Sequence, residues 1–560
     1  MNQNQNFETT DDIHELRRQP YAEQLHTICM RWAMGKGATP IGVYIGYFLK
    51  YLIFFIGGWW LCCLSLPGAG GWSDFTSWAL TGPAFQKAVL WCLFYEGVGL
   101  GCSSGPMTGR ILPPIGGILH FARPGTTRLP FLPQLPLFGG IRRSRLDVVL
   151  YLGILALLLR GLVAPEITSE MLLPLVILLP LLALRDKTTF AAFRADHYYL
   201  ALVALWYIGT PGDAWIAGNK IIWFGVWFWA ATSKLNQHFP SIIAVMLTNS
   251  PFIPAAIHRR LYKNFPEDMR PSAAAATLAH FGTFAEYAFP MVLIWSAGGP
   301  MTPYALIAMV LFHSFIAGNA PSGMPVEWNI MMVYGGFVLF GHFAAVPLSA
   351  LTQAPALLGF LAIMLIVVPT IGNFFPKYVS FLWAMRYYAG NWAYSVWLFR
   401  DKSIDKLHRL TKSIPTMREQ LAKMIDNEDE VALACAMTPA FRLMHIQGRA
   451  CHAPLAIAGG DMSRYEWQDG EMVAGMVAGW NFGDGHLHDE QLLEAIQEQC
   501  NFEEGELRVV FIESQPLFGR SMAWRVADAK TGQMAEGESM IKDMIEWQPW
   551  PTGPRAKAFK

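Results

Sequence analysis

Apolar runs separated by short polar or Pro- and Gly-rich stretches dominate the first 376 residues of the chain. A helix that crosses the hydrocarbon core of a bilayer needs about 20 mostly apolar residues. Ten runs approach that length, and the one over 198–208 is the shortest. The pattern therefore predicts about ten spans: 44–66, 84–100, 148–163, 171–184, 198–208, 220–233, 274–296, 303–317, 329–346 and 356–373.

The basic residues alternate between successive loops, which predicts the orientation of the bundle. Lys and Arg accumulate in the N-terminal segment and in 101–147, 185–197 and 234–272, whereas 67–83, 164–170, 209–219, 297–302 and 347–353 contain neither. Basic loops stay in the cytoplasm, so we expect both termini there and an even number of spans. Lys87, Arg160 and Lys220 at outer span ends, and the inside loop 318–328 without a basic residue, depart from the rule.

The character of the chain changes after the last run. Residues 377–400 are rich in Trp and Tyr, which favours an interfacial helix or an extra half-span. From residue 401 the charge is mixed, and 508–513, 521–526 and the segment after Lys530-Thr-Gly read as β-strands. The predicted fold is an all-α polytopic membrane bundle with a small C-terminal cytoplasmic α+β domain. Its parts are a leader (1–43), the bundle (44–376), the interfacial helix (377–400) and the soluble domain (401–560).

Composition supports the membrane class and excludes several functions. The chain is 53% hydrophobic and 15% charged, whereas soluble domains are about 25% charged. The net charge of zero gives no reason to expect a nucleic-acid partner. The eight Cys form no disulfide or metal-binding pattern, and no paired-His iron motif, Walker A motif, GxGxxG, GxSxG or HExxH is present. We therefore predict no metal site, and the sequence identifies no cofactor.

Ionisable residues within apolar runs are the candidates for chemistry, because a charge in the membrane is costly and marks a functional site by default. Lys234 ends one run, and His238 lies one helical turn further on. Glu286 lies well inside a run and requires either a proton or a partner, for which Lys234 or a His is suitable. The predicted catalytic set is Lys234, His238, Glu286, His313 and His342, and the predicted substrate-binding set is His280, Glu327, Asn329 and Arg123.

Four stretches carry a resemblance to known proteins: 230–239, 279–290, Phe312-His313 and 325–329. They resemble a family of bacterial multi-pass proteins catalogued as a transmembrane domain of unknown function, which implies a location in the bacterial inner membrane. More distantly, Lys234-Leu-Asn after an aromatic span looks like the membrane domain of vitamin K-dependent γ-carboxylase and its relatives. That resemblance implies that Lys234 is a base facing a lipid or quinone. The carboxylases have a second Lys where this chain has Ser233, and their soluble domain lies across the membrane.

Two hypotheses of different classes follow. In the first, the protein is a membrane enzyme that acts on a lipid-soluble substrate such as a quinone, an isoprenoid or a fatty acyl group, with Lys234 as the base. In the second, it is a non-catalytic carrier or assembly scaffold in which the same polar groups fix helix packing. In both, the bilayer is the main partner.

Overall fold

The computed structural model of this protein describes residues 12–36, 41–101, 117–136, 138–248, 250, 252–319, 325–388 and 390–552. Within these ranges helices dominate, and a few strands form two antiparallel sheets. Residues 102–116 of the predicted inside loop and the first eleven residues of the leader lie outside the described residues. The structural statements below refer to the described part of the chain.

Each of the ten predicted runs is helical. The first helix runs from Ile41 to Cys63 with a π-helical stretch at Tyr51–Ile56, and Phe239–Thr248 forms a further apolar helix. The others are Gly82–Gly97, Arg145–Val163, Ser169–Arg185, Tyr198–Leu205, Ala214–Ser233, Ala273–Ser296, Thr302–Ala317, Val326–Gly336 continued by Phe337–His342, and Pro355–Ala362 continued to Phe374.

Two described helices, Arg145–Val163 and Pro355–Phe374, are long and apolar enough to cross a bilayer by length and composition. Other helices present large apolar side chains outward. Phe281, Phe284 and Trp295 on one helix, and Tyr304 and Leu311 on the next, are each at least 65% exposed. Water-soluble monomers rarely carry such extended apolar faces, which are typical of contact with lipid or protein. The number of crossings stays a prediction.

Segments that are predicted to lie on the cytoplasmic side contact the C-terminal domain. The Arg123 guanidinium donates to the Lys412 carbonyl (3.1 Å), and Lys187 Nζ donates to the His486 carbonyl (2.8 Å). The Phe518 amide donates to Asn236 Oδ1 (3.0 Å). These three contacts come from three different predicted inside segments. These contacts agree with the prediction that the three basic segments lie on the same side of the membrane. Which side that is stays a prediction.

Lys87 and Lys220, which departed from the positive-inside rule, do not snorkel to the surface. Lys87 is fully buried, and its ammonium donates to the carbonyls of Gly161 (3.0 Å), Leu162 (2.7 Å) and Ala164 (2.5 Å) at the end of a helix. Lys220 is also buried and donates to the Ala344 and Val346 carbonyls. A cation satisfies the unpaired carbonyls of a helix C-terminus, so Lys87 acts as an internal cap. Lys220 satisfies carbonyls of the turn that follows the Phe337–His342 helix.

The C-terminal domain is built on a five-stranded antiparallel sheet. Two short strands, β1 (Tyr262–Asn264) and β2 (Asp268–Pro271), form a separate hairpin. The large sheet has the order β4-β3-β5-β6-β7, with these bounds: β3 Tyr394–Arg400, β4 Tyr465–Asp469, β5 Leu507–Ile512, β6 Ser521–Asp528 and β7 Gly532–Met540. The predicted strands near 508–513 and 521–526 and the one after Lys530-Thr-Gly correspond to β5, β6 and β7.

The predicted interfacial helix over 377–400 is wrong, because residues 394–400 form β3 in the middle of the sheet. Six of the seven β3 residues are buried, so the strand has no alternation of apolar and polar positions. A short apolar run without alternation cannot be distinguished from a buried helix by periodicity.

Helices pack around this sheet, and the N-terminal leader joins them. Ile13–Arg18 and Tyr21–Arg31 lie against the domain, where Tyr21 Oη donates to the His452 carbonyl (3.2 Å) and Gln24 Oε1 accepts from the Met462 amide (2.9 Å). The leader helices that the structure describes therefore pack on the C-terminal domain. The helices of the C-terminal domain are Met417–Leu421, Glu428–Ala436, Ala440–Met444, Ile446–Ala450, His452–Ala458, Gly470–Val477, Glu490–Cys500 and Ile541–Glu546.

The bundle also contains short helices, which are Phe75–Ala79, Gly117–Phe121, Lys187–Ala192 and Ala255–Arg259.

His486 and Glu513 form an ion pair (3.1 Å) beside the contact with Lys187. Burial opposes the imidazolium, yet the Glu513 carboxylate outweighs burial and raises the pKa of His486. Burial likewise opposes the carboxylate, but the His486 charge and hydrogen bond lower the pKa of Glu513 to about 2. Each group is therefore held in its charged form by the other.

We expect His486→Gln to lower the melting temperature most between about pH 5 and 6, with a smaller loss at alkaline pH. A raised folded-state pKa stabilises the protein fully below the ordinary histidine pKa, and this contribution disappears as the pH rises through the raised value. Glu513 stays ionised across that window. Melting curves of the full chain at several pH values measure the effect, with exposed His408→Gln as the control. A loss that does not change with pH would contradict the pairing.

We expect Lys87→Met to destabilise the protein by about 1–3 kcal/mol, because three helix-end carbonyls lose a charged donor. Thermal unfolding of purified protein measures this. The exposed Lys377→Met is the matched control and should be nearly neutral. Equal melting temperatures for Lys87→Met and the unchanged protein would refute the capping role.

Candidate functional site

Lys234 and Glu286 meet where two long helices of the bundle pack together. Lys234 directly follows the Ala214–Ser233 helix, and Glu286 lies midway along Ala273–Ser296. The Lys234 ammonium donates to Glu286 Oε2, and only 9% and 4% of the two side chains is exposed. The Phe312 ring lies 5.8 Å from Lys234 Nζ. A carboxylate in this position needs such a partner, since an unpaired buried charge costs several kcal/mol by order of magnitude.

His313 is held between two hydrogen-bond partners. Its Nε2 accepts from the Trp227 indole (2.9 Å), and an indole N–H is only a donor. Its Nδ1 lies 2.8 Å from Asn329 Oδ1, and Asn329 Nδ2 donates to the Pro325 carbonyl (2.9 Å). This arrangement fixes a neutral His313 with its proton on Nδ1 and leaves no lone pair for a substrate. His313 therefore positions Trp227 and Asn329 and is not available as a base in this arrangement.

The remaining predicted residues lie apart from this pair. His238 is buried behind Tyr388, whose hydroxyl is 3.3 Å from His238 Nε2. Glu327 is buried beside Glu96. His280, His342 and Arg123 are exposed. His342 follows Asn329 by thirteen residues along a helix, which places it about 20 Å further along the axis. The sequence did not reveal which side of each helix faces inward.

A cavity of about 90 Å³ connects Glu286, His313 and Asn329 with the C-terminal domain. Most of its wall is aromatic or aliphatic, and Trp392 and Phe482 approach it from beyond the last bundle helix. Trp227 and Ala230 face it from the same side of the helix that ends before Lys234. The full lining is Arg194, His197, Val226, Trp227, Ala230, Glu286, His313, Ile316, Pro325, Trp328, Asn329, Met332, Phe381, Tyr387, Tyr388, Trp392 and Phe482.

A second polar cluster, absent from the sequence predictions, forms another part of the wall. Asp196 accepts from Arg194 Nε (2.8 Å) and Nη2 (2.6 Å), and its Oδ2 also accepts from the Tyr387 hydroxyl (2.5 Å). His197 Nδ1 lies 3.4 Å from the same oxygen. Arg194, Asp196 and His197 are all buried. The Arg194 guanidinium lies over the Trp328 ring, whose indole donates to Glu96 Oε1 (2.9 Å).

The local backbone that builds this cluster is strained. Arg194 follows the Lys187–Ala192 helix and has a φ of 51°, in the left-handed region that residues with a side chain seldom occupy. Such strain persists only where surrounding contacts impose it, and it concentrates at functional sites. The tight turn brings Arg194 within reach of Asp196 two residues later.

The charges of the cluster are set by its surroundings. Burial opposes ionisation of Asp196, but the Arg194 charge and the hydrogen bonds of His197 and Arg194 hold the pKa of Asp196 well below its ordinary value. Burial lowers the pKa of His197, although Asp196 acts in the opposite direction. At neutral pH the cluster therefore contains an ionised carboxylate, a guanidinium and a neutral imidazole.

A signal for this cluster was present in the sequence. Arg194-Ala-Asp-His197 places a cation, an anion and an imidazole within four residues directly before an apolar run. In the sequence, however, Arg194 belongs to the basic inside segment 185–197, and charged residues in such a loop are ordinarily solvated. Among the described residues, no group of three or more His, Cys, Asp or Glu side chains is arranged to hold a metal ion.

The helical fold and its exposed apolar faces fit a helical membrane protein. The chain belongs to the family described as "Transmembrane protein of unknown function (DUF3556)", whose model matches residues 4–558. No curated protein and no solved structure matches the chain. The membrane family expected from the sequence is thereby confirmed, whereas a bacterial origin and the more distant carboxylase-like resemblance stay predictions.

We expect Lys234→Met and Glu286→Leu each to destabilise the protein by about 3–5 kcal/mol, because each leaves its partner buried and unpaired. The double variant Lys234→Met/Glu286→Leu should recover much of that loss, since neither charge remains. Thermal unfolding of the four proteins gives the coupling energy. Strictly additive losses would show that the two side chains do not interact in the folded protein.

Proposed function

We propose that this integral membrane protein binds a lipid-soluble, uncharged molecule in the cavity between the bundle and the C-terminal domain, and that this molecule is its substrate. The observation that carries the proposal is the combination of apolar, mainly aromatic walls with charged groups that are already neutralised. Clefts with apolar walls and a few convergent polar groups are the usual form of small-molecule sites.

The charge pattern supports an uncharged headgroup. Two charged residues line the cavity, Arg194 and Glu286. Arg194 is paired with Asp196, and Glu286 is paired with Lys234. A phosphate or carboxylate headgroup would have to break one of these pairs or enter without a counter-ion, and either is costly in a buried site. Of the substrates that the sequence suggests, a quinone or an isoprenoid therefore fits the cavity better than a fatty acyl anion.

The size of the cavity supports binding of one part of such a molecule. Its volume of about 90 Å³ is below the roughly 300–1,000 Å³ of pockets that enclose a whole drug-sized ligand. A headgroup fits this space while the remaining chain extends between helices toward lipid.

In this proposal Lys234 is a positioning residue. Its ammonium already donates to Glu286, so it has no lone pair with which to accept a proton. The role of base implied by the carboxylase-like resemblance would require that the pair separate first.

We also propose the finer topology predicted from the sequence, with about ten spans and both termini in the cytoplasm of a bacterial inner membrane. Contacts support this topology. The basic loops and the leader helices all contact the C-terminal domain, which follows the last bundle helix in the chain.

We expect the full chain, purified in detergent, to retain about one molecule of a single uncharged lipid class, detected by native mass spectrometry and identified after solvent extraction. Ala230→Phe should lose this lipid because the added ring occupies the cavity, and Ala230→Leu should reduce it. Ala274→Phe on an exposed helix surface is the matched control and should retain it.

Equal lipid content in Ala230→Phe and Ala274→Phe, both folded, would reject the proposal. That result would favour the alternative, a scaffold in which the buried polar groups serve only to fix helix packing.

A further inference from the structure

His197 presents one ring nitrogen to the cavity. Its Nδ1 faces Asp196 Oδ2 at 3.4 Å, and His197 itself lines the cavity. Arg194 Nη2 lies 3.5 Å from the same Nδ1 but already donates to Asp196 Oδ2 at 2.6 Å. An ionised carboxylate only accepts hydrogen bonds, so the nearer Asp196 favours the neutral ring with its proton on Nδ1 and its lone pair on Nε2. Within the described part of the chain no side chain or backbone group hydrogen bonds to Nε2.

The orientation of His197 is fixed by groups from separate parts of the chain. Asp196 is held by two bonds from Arg194 and one from Tyr387, which follows the last helix of the bundle. A carboxylate that orients an imidazole in this way determines which nitrogen remains available as an acceptor. At 3.4 Å the hydrogen bond between His197 and Asp196 is long, and such contacts often shorten when substrate binds.

The walls beside His197 are aromatic rings that meet edge to face. Trp328 and Phe482 have ring centroids 5.1 Å apart with planes at 74°, and Phe381 and Trp392 are 5.2 Å apart at 88°. Trp328 and Tyr387 meet at 67°. A planar aromatic guest can continue this edge-to-face or offset packing, whereas a saturated headgroup gains only contact area.

We propose that His197 Nε2 accepts a hydrogen bond from a hydroxyl group on a planar aromatic headgroup, which assigns the substrate to the phenol or quinol class. This inference rests on the proposed function and names the chemistry of the same site. His197 is then the residue that contacts the polar end of the substrate, and the aromatic rings contact its faces.

The geometry also permits transfer of the hydroxyl proton to His197. The O–H bond breaks, an Nε2–H bond forms, and the electron pair remains on the oxygen as a phenolate. The positive charge that develops on the imidazole faces the Asp196 carboxylate, which stabilises it, and Arg194 Nη2 at 3.5 Å, which opposes it.

The test compares two stable probes that differ in one group, 4-decylphenol and 4-decylanisole. Binding to the delipidated full chain in nanodiscs is followed by intrinsic tryptophan fluorescence, since Trp227, Trp328 and Trp392 line the cavity. The phenol should bind about tenfold more tightly, because the ether cannot donate to Nε2. His197→Phe should abolish the preference, and His197→Gln, which keeps an acceptor, should retain part of it. His408→Phe, the same change at an exposed position away from the cavity, should bind like the unchanged protein.

Equal affinity of the two probes in the unchanged protein overturns the inference, and this comparison is decisive even if His197→Phe does not fold. If Ala230→Phe then abolishes both, the cavity still binds lipid-soluble molecules and only the headgroup assignment fails. If neither probe binds while an endogenous lipid is retained, the phenol or quinol class is rejected. If no probe and no lipid binds, the proposed function fails as well.

Discussion

Neutralisation of buried charge is the constraint on which this structure depends. An ion removed from water loses several kcal/mol of solvation, and only an opposite charge or several hydrogen bonds can compensate for it. Lys234 is matched by Glu286, Arg194 by Asp196, and Lys87 by three backbone carbonyls. Lys234 and Lys87 each bind a partner on a different helix, so these contacts also fix how the helices pack. The Arg194–Asp196 pair instead lies within one turn.

The same constraint links the bundle to the C-terminal domain. Tyr387 lies beyond the last helix of the bundle, yet its hydroxyl completes the bonding of Asp196. Trp392 and Phe482 close the cavity from the side of the domain. The site is therefore shared by both parts of the chain, and displacement of the domain would expose both the cavity and the Arg194–Asp196 pair to water.

The sequence predicted features that depend on length or alternation. Ten apolar runs are long enough to be recognised as helices, most of β6 alternates between more and less buried positions, and β7 follows the Lys530-Thr-Gly turn. Strand β3 was mistaken for a helix because both of its faces are covered. Glu286 could be predicted to need a partner, since a lone carboxylate in a span is costly. By contrast, His280 and His342 were included because an apolar helix does not show which side faces inward. His197 was not predicted because its place in the cavity wall depends on a strained turn and on Tyr387, nearly 200 residues away in the chain.

The central claim is that neutralised charges and aromatic walls enclose a site for an uncharged lipid-soluble molecule. Cryo-electron microscopy of the full chain in nanodiscs of its native lipids tests this most directly. The account predicts a flat density in the cavity, packed against Trp328 and Phe482, with its polar end at His197 Nε2 and a tail that leads toward lipid. A cavity occupied only by water, with Lys234 and Glu286 separated and hydrated, would contradict it.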